Sequence, residues 1–159
     1  MSRHSTPLDA EPCRSCVSFS DYLKQTKKKI KQDLASGETV QEIPTRNDCP
    51  LDKDELGSKT WGLLHTMAAR YPEKPSEKQQ DDMRTFFKVF SQFYPCDHCA
   101  EDFRKDLKSD PPRTESQEAL SQWLCKMHNK VNVKTGKDVF DCSKINERWR
   151  DGWLDGSCG

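Results

Sequence analysis

The chain has 159 residues, of which 33% are hydrophobic and 33% are charged, so its average composition is too polar for one fully packed globule. Its 26 basic side chains balance its 26 acidic ones, which argues against a general nucleic-acid binder because phosphate binding needs a basic excess. No apolar run approaches the roughly 20 residues that span a bilayer. No apolar segment follows the first residues, so we also expect no secretory signal.

Eight cysteines are more than an ordinary cytosolic enzyme carries, which indicates structural, metal-binding or redox roles for the thiols. Disulfides favour an oxidising compartment, yet the sequence predicts no secretory signal. The mitochondrial intermembrane space would satisfy both conditions.

Residues 1–52 are predicted to form a flexible N-terminal tail, because they contain prolines, serines and threonines and few large apolar side chains. One stretch departs from this pattern, since four apolar residues could share a face of a nascent helix: Phe19, Leu23, Ile30 and Leu34. The simpler interpretation is a solvated tail with scattered apolar residues. Residues 53–159 are predicted to form the folded domain.

From position 54 the hydrophobic spacing becomes helical. The first predicted helix has two adjoining stripes: Leu56, Thr60, Leu64, Met67 and Tyr71, with Trp61, His65 and Ala68 beside them. Pro72 ends this helix. Ser76 and Gln79 predict a capping box that begins a second helix, which stops at Pro95. The side chains predicted to be buried on the second helix are Met83, Phe86, Phe87, Phe90 and Phe93.

A third helix is predicted from Cys96 towards Leu107, with Ala100 and Phe103 buried. A second capping box is predicted over residues 114–117, after two prolines. Helical spacing then continues through a fourth helix at Leu120, Trp123, Leu124, Met127, His128 and Val131.

Gly136 is a suitable stop for the fourth helix, and a short fifth helix is predicted from Ser143 through Ile145 and Trp149. No segment shows convincing alternation with period two, so no sheet is expected. These elements predict an all-α fold, a four-helix bundle with a short fifth helix packed across it.

Cys96 and Cys99 form a C-x-x-C motif in the first turn of the third helix. Two thiols at this spacing can close a reducible disulfide, and the positive end of the helix dipole stabilises the reactive thiolate. The alternative is half of a zinc site, which needs four ligands. Cys125 and Cys142 would supply the other two in a zinc-stabilised adaptor protein, and spacing alone leaves both interpretations open.

A second C-x-x-C pair, Cys13 and Cys16, lies on the predicted tail. A tethered pair has a high effective concentration, so it could collect electrons from a substrate and pass them to the folded pair by thiol–disulfide exchange. The alternative is that the pair is idle on a disordered tail.

An oxidase also needs a two-electron acceptor, for which a flavin is the natural candidate. Suitable aromatic, imidazole and amide side chains occur in the predicted bundle: Trp61, His65, Trp123, His128, Asn129, Asn132 and Trp149. Each has a plainer interpretation, because tryptophan and histidine at helical spacing are more often core residues. No glycine-rich phosphate loop is present, so a Rossmann-type site is not expected.

Several blocks in a fixed order together resemble the Erv/ALR family of sulfhydryl oxidases. They are residues 61–65 (WGLLH), 71–72 (YP), 94–99 (YPCDHC), 123–132 (WLCKMHNKVN) and 140–142 (FDC). Residues 13–16 (CRSC), 48–51 (DCPL), 148–153 (RWRDGW) and 156–158 (GSC) are similar to the mitochondrial FAD-linked member of that family. The resemblance is dense over residues 48–159 and reaches the tail through one motif.

The resemblance implies that FAD binds at the mouth of the bundle. It assigns Cys99 to the isoalloxazine as the charge-transfer thiolate, and Cys96 to exchange with incoming dithiols. The implied FAD contacts on the first helix are Gly57, Ser58, Thr60, Trp61 and His65. Those on the adenine and ribose side are His128, Asn129, Val131 and Asn132. The implied phosphate and adenine-edge residues are Lys134, Lys137, Arg148 and Trp149.

The resemblance also assigns the other cysteines. Cys125 and Cys142 would form a structural disulfide between the fourth and fifth helices. Cys49 and Cys158 would link two subunits covalently into a homodimer. The tail pair would be a shuttle that serves the partner subunit's active site.

The resemblance thus implies a FAD-dependent thiol oxidase of the mitochondrial intermembrane space, with the cytosol as a second location. Electrons would pass from a protein dithiol through the shuttle pair to Cys96 and Cys99, then to FAD, and finally to oxygen or cytochrome c. The implied protein substrate is the oxidoreductase that imports cysteine-rich proteins into that compartment. No resident metal is expected. The competing functions are the zinc-stabilised adaptor and a growth-factor-like signalling protein.

Overall fold

The computed structural model describes Asp21, Lys24 and residues 49–158. The chain divides into two compact units, Met1–Gly57 and Ser58–Gly159. Of the first unit's tail, Asp21 and Lys24 are helical. The proposed nascent-helix stripe and the Cys13/Cys16 pair lie outside the described residues.

Residues 49–158 contain four α-helices, two short helical turns and no strand. They are α1 Lys53–Ala69, α2 Glu77–Phe93, α3 Asp97–Ser109, α4 Gln117–Lys134, a 3₁₀ turn Cys142–Lys144 and a π-helical turn Glu147–Asp151. The predicted all-α architecture with a short fifth helical segment is therefore confirmed. None of the helices in these residues combines the length and apolarity needed to cross a bilayer.

Local sequence sets the start of α2 as predicted. The Ser76 hydroxyl accepts a hydrogen bond from the backbone N–H of Gln79 at 3.2 Å, and the Gln79 side-chain oxygen accepts the Ser76 N–H at 2.9 Å. This reciprocal capping box satisfies two amide groups that the helix itself cannot. Tyr94, which precedes Pro95, has extended backbone angles and ends the helix.

The prediction of a second capping box over residues 114–117 is wrong. The N-cap of α4 is Ser116, whose hydroxyl accepts the backbone N–H of Ala119 at 3.1 Å. Thr114 is instead fully buried, where its hydroxyl accepts a hydrogen bond from the Arg84 guanidinium and its carbonyl accepts one from Tyr71 at 3.1 Å. Tertiary contacts thus use the residue that the local motif would have used as a cap.

One hydrophobic core joins α1, α2 and α4, with side chains of α3 packed against it. Its buried members are Leu64, Ala68, Tyr71, Phe87, Leu120, Trp123, Leu124 and Met127. The partly buried residues around it are Trp61, Met83, Phe86, Phe90, Phe103 and Leu107. The predicted helical stripes therefore do face a common interior.

Phe93 was predicted to be buried, and that prediction is wrong, since its side chain is 76% exposed. It is the last residue of α2, where the chain leaves the helix. The next residue continues the aromatic row, because the Tyr94 ring lies 5.5 Å from the Phe90 ring between centroids.

The fifth helical segment depends on α4 for its position. Cys142 forms a disulfide with Cys125 of α4, and its carbonyl accepts a hydrogen bond from Gln122 at 3.0 Å. Gln117, at the start of α4, donates to the Asn146 side chain at 2.9 Å. Ile145 between these contacts is buried. These bonds fix the segment that carries residues 147–151.

Two phenylalanines on α2 provide a matched stability test. Phe87 is 2% exposed, so Phe87→Ala should lower the free energy of unfolding by about 3–5 kcal/mol through lost burial and a cavity. Phe93→Ala removes the same atoms from solvent and should change it by less than about 0.5 kcal/mol. Urea unfolding followed by circular dichroism measures both. Equal losses for the two variants would contradict this description of the core.

Candidate active site

The C-x-x-C motif lies at the N-terminus of α3. Cys96 is the N-cap residue, with extended backbone angles and no side-chain hydrogen bond to the helix, and it is 1% exposed. Cys99 lies in the first turn and is half-buried. The two form a disulfide with their Cα atoms 5.3 Å apart. After reduction, a thiolate at this position would lie at the positive end of the α3 dipole, which favours it.

His98, inside the motif, lies against both sulfur atoms. Its Nδ1 and Nε2 atoms are 3.6 and 3.7 Å from Cys96 Sγ, and Nε2 is 3.5 Å from Cys99 Sγ. The imidazole is itself exposed. It is therefore one of the groups that an approaching thiol meets at the Cys96 sulfur. The sequence pattern by itself predicts no role for this residue.

Four rings from separate parts of the chain form what we call the aromatic–imidazole cluster: Trp61, His65, His128 and Trp149. The Trp61 indole stacks on the His128 imidazole with centroids 4.2 Å apart, and the Trp149 indole stacks on the His65 imidazole at 4.8 Å. The two imidazoles are joined by a 3.0 Å hydrogen bond between His65 Nε2 and His128 Nδ1. α1, α4 and the π-helical turn thus converge at one point.

Both imidazoles of the cluster are held in their uncharged form. Burial lowers the pKa of His65 to about 3, with repulsion from His128 and Arg148 adding to the effect. Burial also lowers the pKa of His128 to about 4, with repulsion from Lys137. Uncharged rings can share one proton in their mutual hydrogen bond, whereas two imidazolium ions could not.

A hydrogen bond between Tyr94 and Thr60 relates the C-x-x-C motif to the cluster. Burial raises the pKa of the Tyr94 phenol, and the hydrogen bond to Thr60 opposes that rise. Thr60 directly precedes Trp61 on α1, and Tyr94 lies two positions before Cys96. This contact therefore holds the segment before α3 against α1 at the residue that precedes Trp61.

The amide side chains at the end of α4 organise the loop that follows. Asn129 donates to the carbonyl of Phe140 at 2.8 Å and accepts the N–H of Phe140 at 2.9 Å. Asn132 donates to the Asn129 side chain at 3.2 Å. These bonds hold residues 137–142 against α4 and bring Lys137 near His128. Asn129 thereby acts on the loop backbone as well as lying beside the cluster.

Two cationic residues implied for phosphate binding differ in their surroundings. The Arg148 guanidinium carbon lies 4.8 Å from the centroid of the Trp149 ring, at the edge of the cluster. The Lys134 ammonium instead pairs with Asp106 at 3.3 Å and with Asp102 at 3.4 Å, both on α3. Lys134 thus ties α4 to α3, and its charge is already partly neutralised.

The remaining implied FAD contacts lie on α1 and α4. Gly57 lies on α1 with open space beside its Cα atom, and Ser58 is exposed. Val131 is half-buried on α4. Gly62, for which the sequence predicts no contact, faces Trp149, since a Cβ atom there would lie 4.0 Å from the indole.

The other cysteines fall into two groups. Cys125 and Cys142 form the disulfide already described, so the four ligands of the adaptor hypothesis are divided between two disulfides. Cys49 and Cys158 are unpaired and exposed within the described part of the chain. The arrangement therefore does not form the four-thiolate zinc site that spacing alone left open.

The cluster fits a flat heteroaromatic cofactor. His65 Nδ1 is buried and has no hydrogen-bond partner among the described residues, so one polar group there can still bind a ligand atom. The indoles offer aromatic faces for stacking, and the neutral imidazoles add no charge. Arg148 and Lys137 place positive charge at the edge, which suits a phosphate-bearing molecule.

We expect the cluster to make the fold sensitive to acid. Because the folded protein keeps His65 and His128 uncharged, the unfolded chain binds more protons below its ordinary histidine pKa of about 6.5. Stability is therefore full above about pH 6.5 and falls as the pH drops towards 4. Urea unfolding between about pH 7 and 5.5 should show this slope, and His65→Gln should reduce it. An unchanged slope in the variant would contradict the assignment.

Comparison with known proteins places the chain in a family. Residues 58–150 match the model of the Erv1/Alr family. The mitochondrial FAD-linked sulfhydryl oxidase ERV1 of Saccharomyces cerevisiae is 38% identical over 162 residues, which cover 91% of this chain and 86% of the yeast protein. The crystal structure of the yeast Erv1 core is 43% identical, with a TM-score of 0.67 over 71% of this chain and 99% of that structure.

A crystal structure of the FAD binding domain of Erv1 from Saccharomyces cerevisiae is also similar. It is 45% identical with a TM-score of 0.64, over 65% of this chain and 99% of that domain. The family model covers more than half of the chain, and the matched region contains the cluster and the C-x-x-C pair of α3. The chain therefore belongs to the Erv1/Alr family.

Proposed function

We propose that this chain is a FAD-dependent thiol oxidase that makes disulfide bonds in protein dithiols. The observation that carries the proposal is a C-x-x-C disulfide at a helix N-terminus in the same domain as the aromatic–imidazole cluster, with Tyr94, just before the motif, in contact with Thr60 of α1. A reducible dithiol and an aromatic site suited to a flavin are the two features that a thiol oxidase needs. The names of the yeast relative and of the matched FAD binding domain support this function.

The residues proposed to hold FAD are those of the cluster and its cationic edge. Trp61 and Trp149 supply stacking faces, and His65 Nδ1 supplies a free hydrogen-bonding atom. Arg148 and Lys137 would neutralise the diphosphate. When bound, FAD accepts two electrons from the reduced cysteine pair and delivers them to oxygen, forming peroxide, or to cytochrome c.

The chain's own cysteines perform the exchange. A substrate thiolate attacks Cys96 Sγ, the Cys96–Cys99 bond breaks, and Cys99 leaves as a thiolate. The second substrate thiol then attacks the mixed disulfide, which releases an oxidised substrate and leaves both enzyme cysteines reduced. The α3 N-terminus favours this chemistry because its free amides and dipole stabilise the leaving thiolate.

Access to Cys96 sets a condition on this step. Its side chain is 1% exposed, and the His98 ring lies 3.6 Å from the sulfur. Exchange at Cys96 therefore needs local movement of the first turn of α3 or of the His98 side chain. Cys99 is the less buried of the two, which is consistent with its proposed role as the sulfur that faces the cofactor.

The proposed physiological context is mitochondrial, as the name of the yeast relative supports. We place the protein in the intermembrane space, where its substrate would be the oxidoreductase that imports cysteine-rich proteins. A second pool would lie in the cytosol. The exposed thiols of Cys49 and Cys158 are available for covalent links between subunits, which supports a disulfide-linked homodimer.

The assigned cysteine roles give distinct mutant behaviour. The purified protein should show flavin absorption near 450 nm. Cys99→Ser and Cys96→Ser should each lower dithiol oxidation at least about 1000-fold, because the disulfide cannot form, while the flavin stays bound. Cys158→Ser, outside the site, is the matched control and should retain turnover. Oxygen consumption with dithiothreitol measures the rates, and a colourless protein or an active Cys99→Ser variant would overturn the proposal.

The tail pair is proposed to act as a shuttle. A double Cys13→Ser/Cys16→Ser variant should oxidise a small dithiol at the parent rate, because that substrate reaches Cys96 directly. Its oxidation of a reduced protein dithiol should fall about 10-fold or more, because the high effective concentration of the tethered pair is lost. Equal rates of the variant and parent on both substrates, or equal losses on both, would remove the shuttle.

A further inference from the structure

His98 and the two sulfur atoms of the C-x-x-C motif form a compact set of metal-binding donors. One donor atom from each of Cys96, His98 and Cys99 lies within 4.8 Å of the others. Thiolates and imidazole are the donors that Zn²⁺ prefers. The proposed oxidase cycle uses the two sulfurs, but it gives the imidazole no role.

The spacing of these atoms matches a tetrahedral zinc centre. Zinc–sulfur bonds of about 2.3 Å and zinc–nitrogen bonds of about 2.0 Å require a sulfur–nitrogen separation of about 3.5 Å. His98 Nε2 lies 3.5 Å from Cys99 Sγ and 3.7 Å from Cys96 Sγ. The nitrogen is thus already at the required distance from both sulfurs. The sulfur atoms must also separate to about 3.8 Å while staying near the nitrogen, which breaking their bond permits.

We propose that the reduced active site, Cys96 and Cys99 with His98, binds Zn²⁺ and that this binding blocks the oxidase. The inference rests on the proposed function, because a substrate dithiol must first reduce the disulfide. In that step the substrate loses two electrons and two protons, and Cys96 and Cys99 become thiols. Zn²⁺ then displaces one proton from each thiol and binds two thiolates and the neutral imidazole.

The surroundings favour a reversible ligand over a resident metal. His98 is exposed and Cys99 is half-buried, so solvent reaches two of the three donors and a water molecule can complete the coordination. The disulfide form cannot bind the ion in this way, because its sulfurs are bonded to each other. Zn²⁺ would therefore bind the reduced form only, and it would prevent the two cysteines from being oxidised.

The test uses the FAD-loaded full chain with Cys13, Cys16, Cys49 and Cys158 replaced by Ser, which removes competing thiols. The protein is reduced anaerobically with dithiothreitol, the reductant is removed by gel filtration, and Zn²⁺ is titrated by calorimetry. One ion per chain should bind the reduced protein, and none should bind the oxidised protein. Thiol counting by mass spectrometry verifies that Cys125 and Cys142 remain bonded.

His98→Gln is the decisive variant, because both cysteines remain. It should bind Zn²⁺ about 10-fold more weakly or worse, since a ligand is lost. Co²⁺ bound to the parent should show sulfur-to-metal charge transfer and tetrahedral bands, and His98→Gln should lose the tetrahedral bands. Equal Zn²⁺ affinity in parent and variant, or no binding to the reduced parent, would overturn the inference.

Activity measurements separate this inference from the proposed function. In the parent, Zn²⁺ should inhibit dithiol oxidation and a chelator should restore it, whereas His98→Gln should need about 10-fold more Zn²⁺ for the same inhibition. A parent that oxidises dithiols without Zn²⁺ but does not bind the ion refutes the zinc site alone. A parent that does not oxidise a small dithiol in the absence of Zn²⁺ refutes the proposed function, whatever the titration shows.

Discussion

The hydrogen bond between His65 and His128 is the contact on which the arrangement of the site depends. Each of these imidazoles is also covered by an indole, from Trp149 and Trp61 respectively, so the pair joins α1, α4 and the π-helical turn. The bond cannot form when both rings are protonated, because neither nitrogen could then accept, and burial favours the uncharged rings by lowering their pKa values to about 3 and 4. Burial in the bundle thus keeps the two histidines uncharged, and their hydrogen bond holds α1 and α4 together at this point.

The start of α3 is less stabilised than it could be, and this suits its chemistry. Ser76 and Ser116 cap α2 and α4 through their hydroxyls, whereas Cys96 occupies the same position on α3 and makes no such bond. A good N-cap stabilises a helix by about 1 kcal/mol, so a cysteine there gives up local stability. In exchange, the free amides and the helix dipole act on a sulfur atom. Contacts elsewhere, such as Arg104 donating to the Ser91 carbonyl at 2.7 Å, hold α3 against α2.

The fifth helical segment shows how a short element gains a fixed position. Residues 142–151 pass from a 3₁₀ turn into a π-helical turn, and neither form is stable in isolation over so few residues. The Cys125–Cys142 disulfide and the amide contacts of Gln117 and Gln122 anchor the segment to α4. As a result Trp149 reaches His65 across the bundle, with Arg148 beside it. The disulfide and the amide contacts therefore position Trp149 and Arg148 without a long regular helix.

The sequence by itself determined the helices and the chemistry of the motifs. Apolar spacing at three and four residues predicts α1 to α4, and Ser76 with Gln79 predicts one helix start, because these signals act within one or two turns. C-x-x-C predicts a redox or metal role for the same local reason.

Tertiary structure decided the rest. Thr114 became a buried contact and not a cap, Phe93 remained in solvent, and Lys134 paired with α3. The four-ring cluster, the Tyr94–Thr60 bond and the position of His98 against both sulfurs likewise depend on how elements pack, or on which rotamer a side chain adopts. Periodicity reports which side of a helix is apolar, but it carries no information about which residue of another helix will face it.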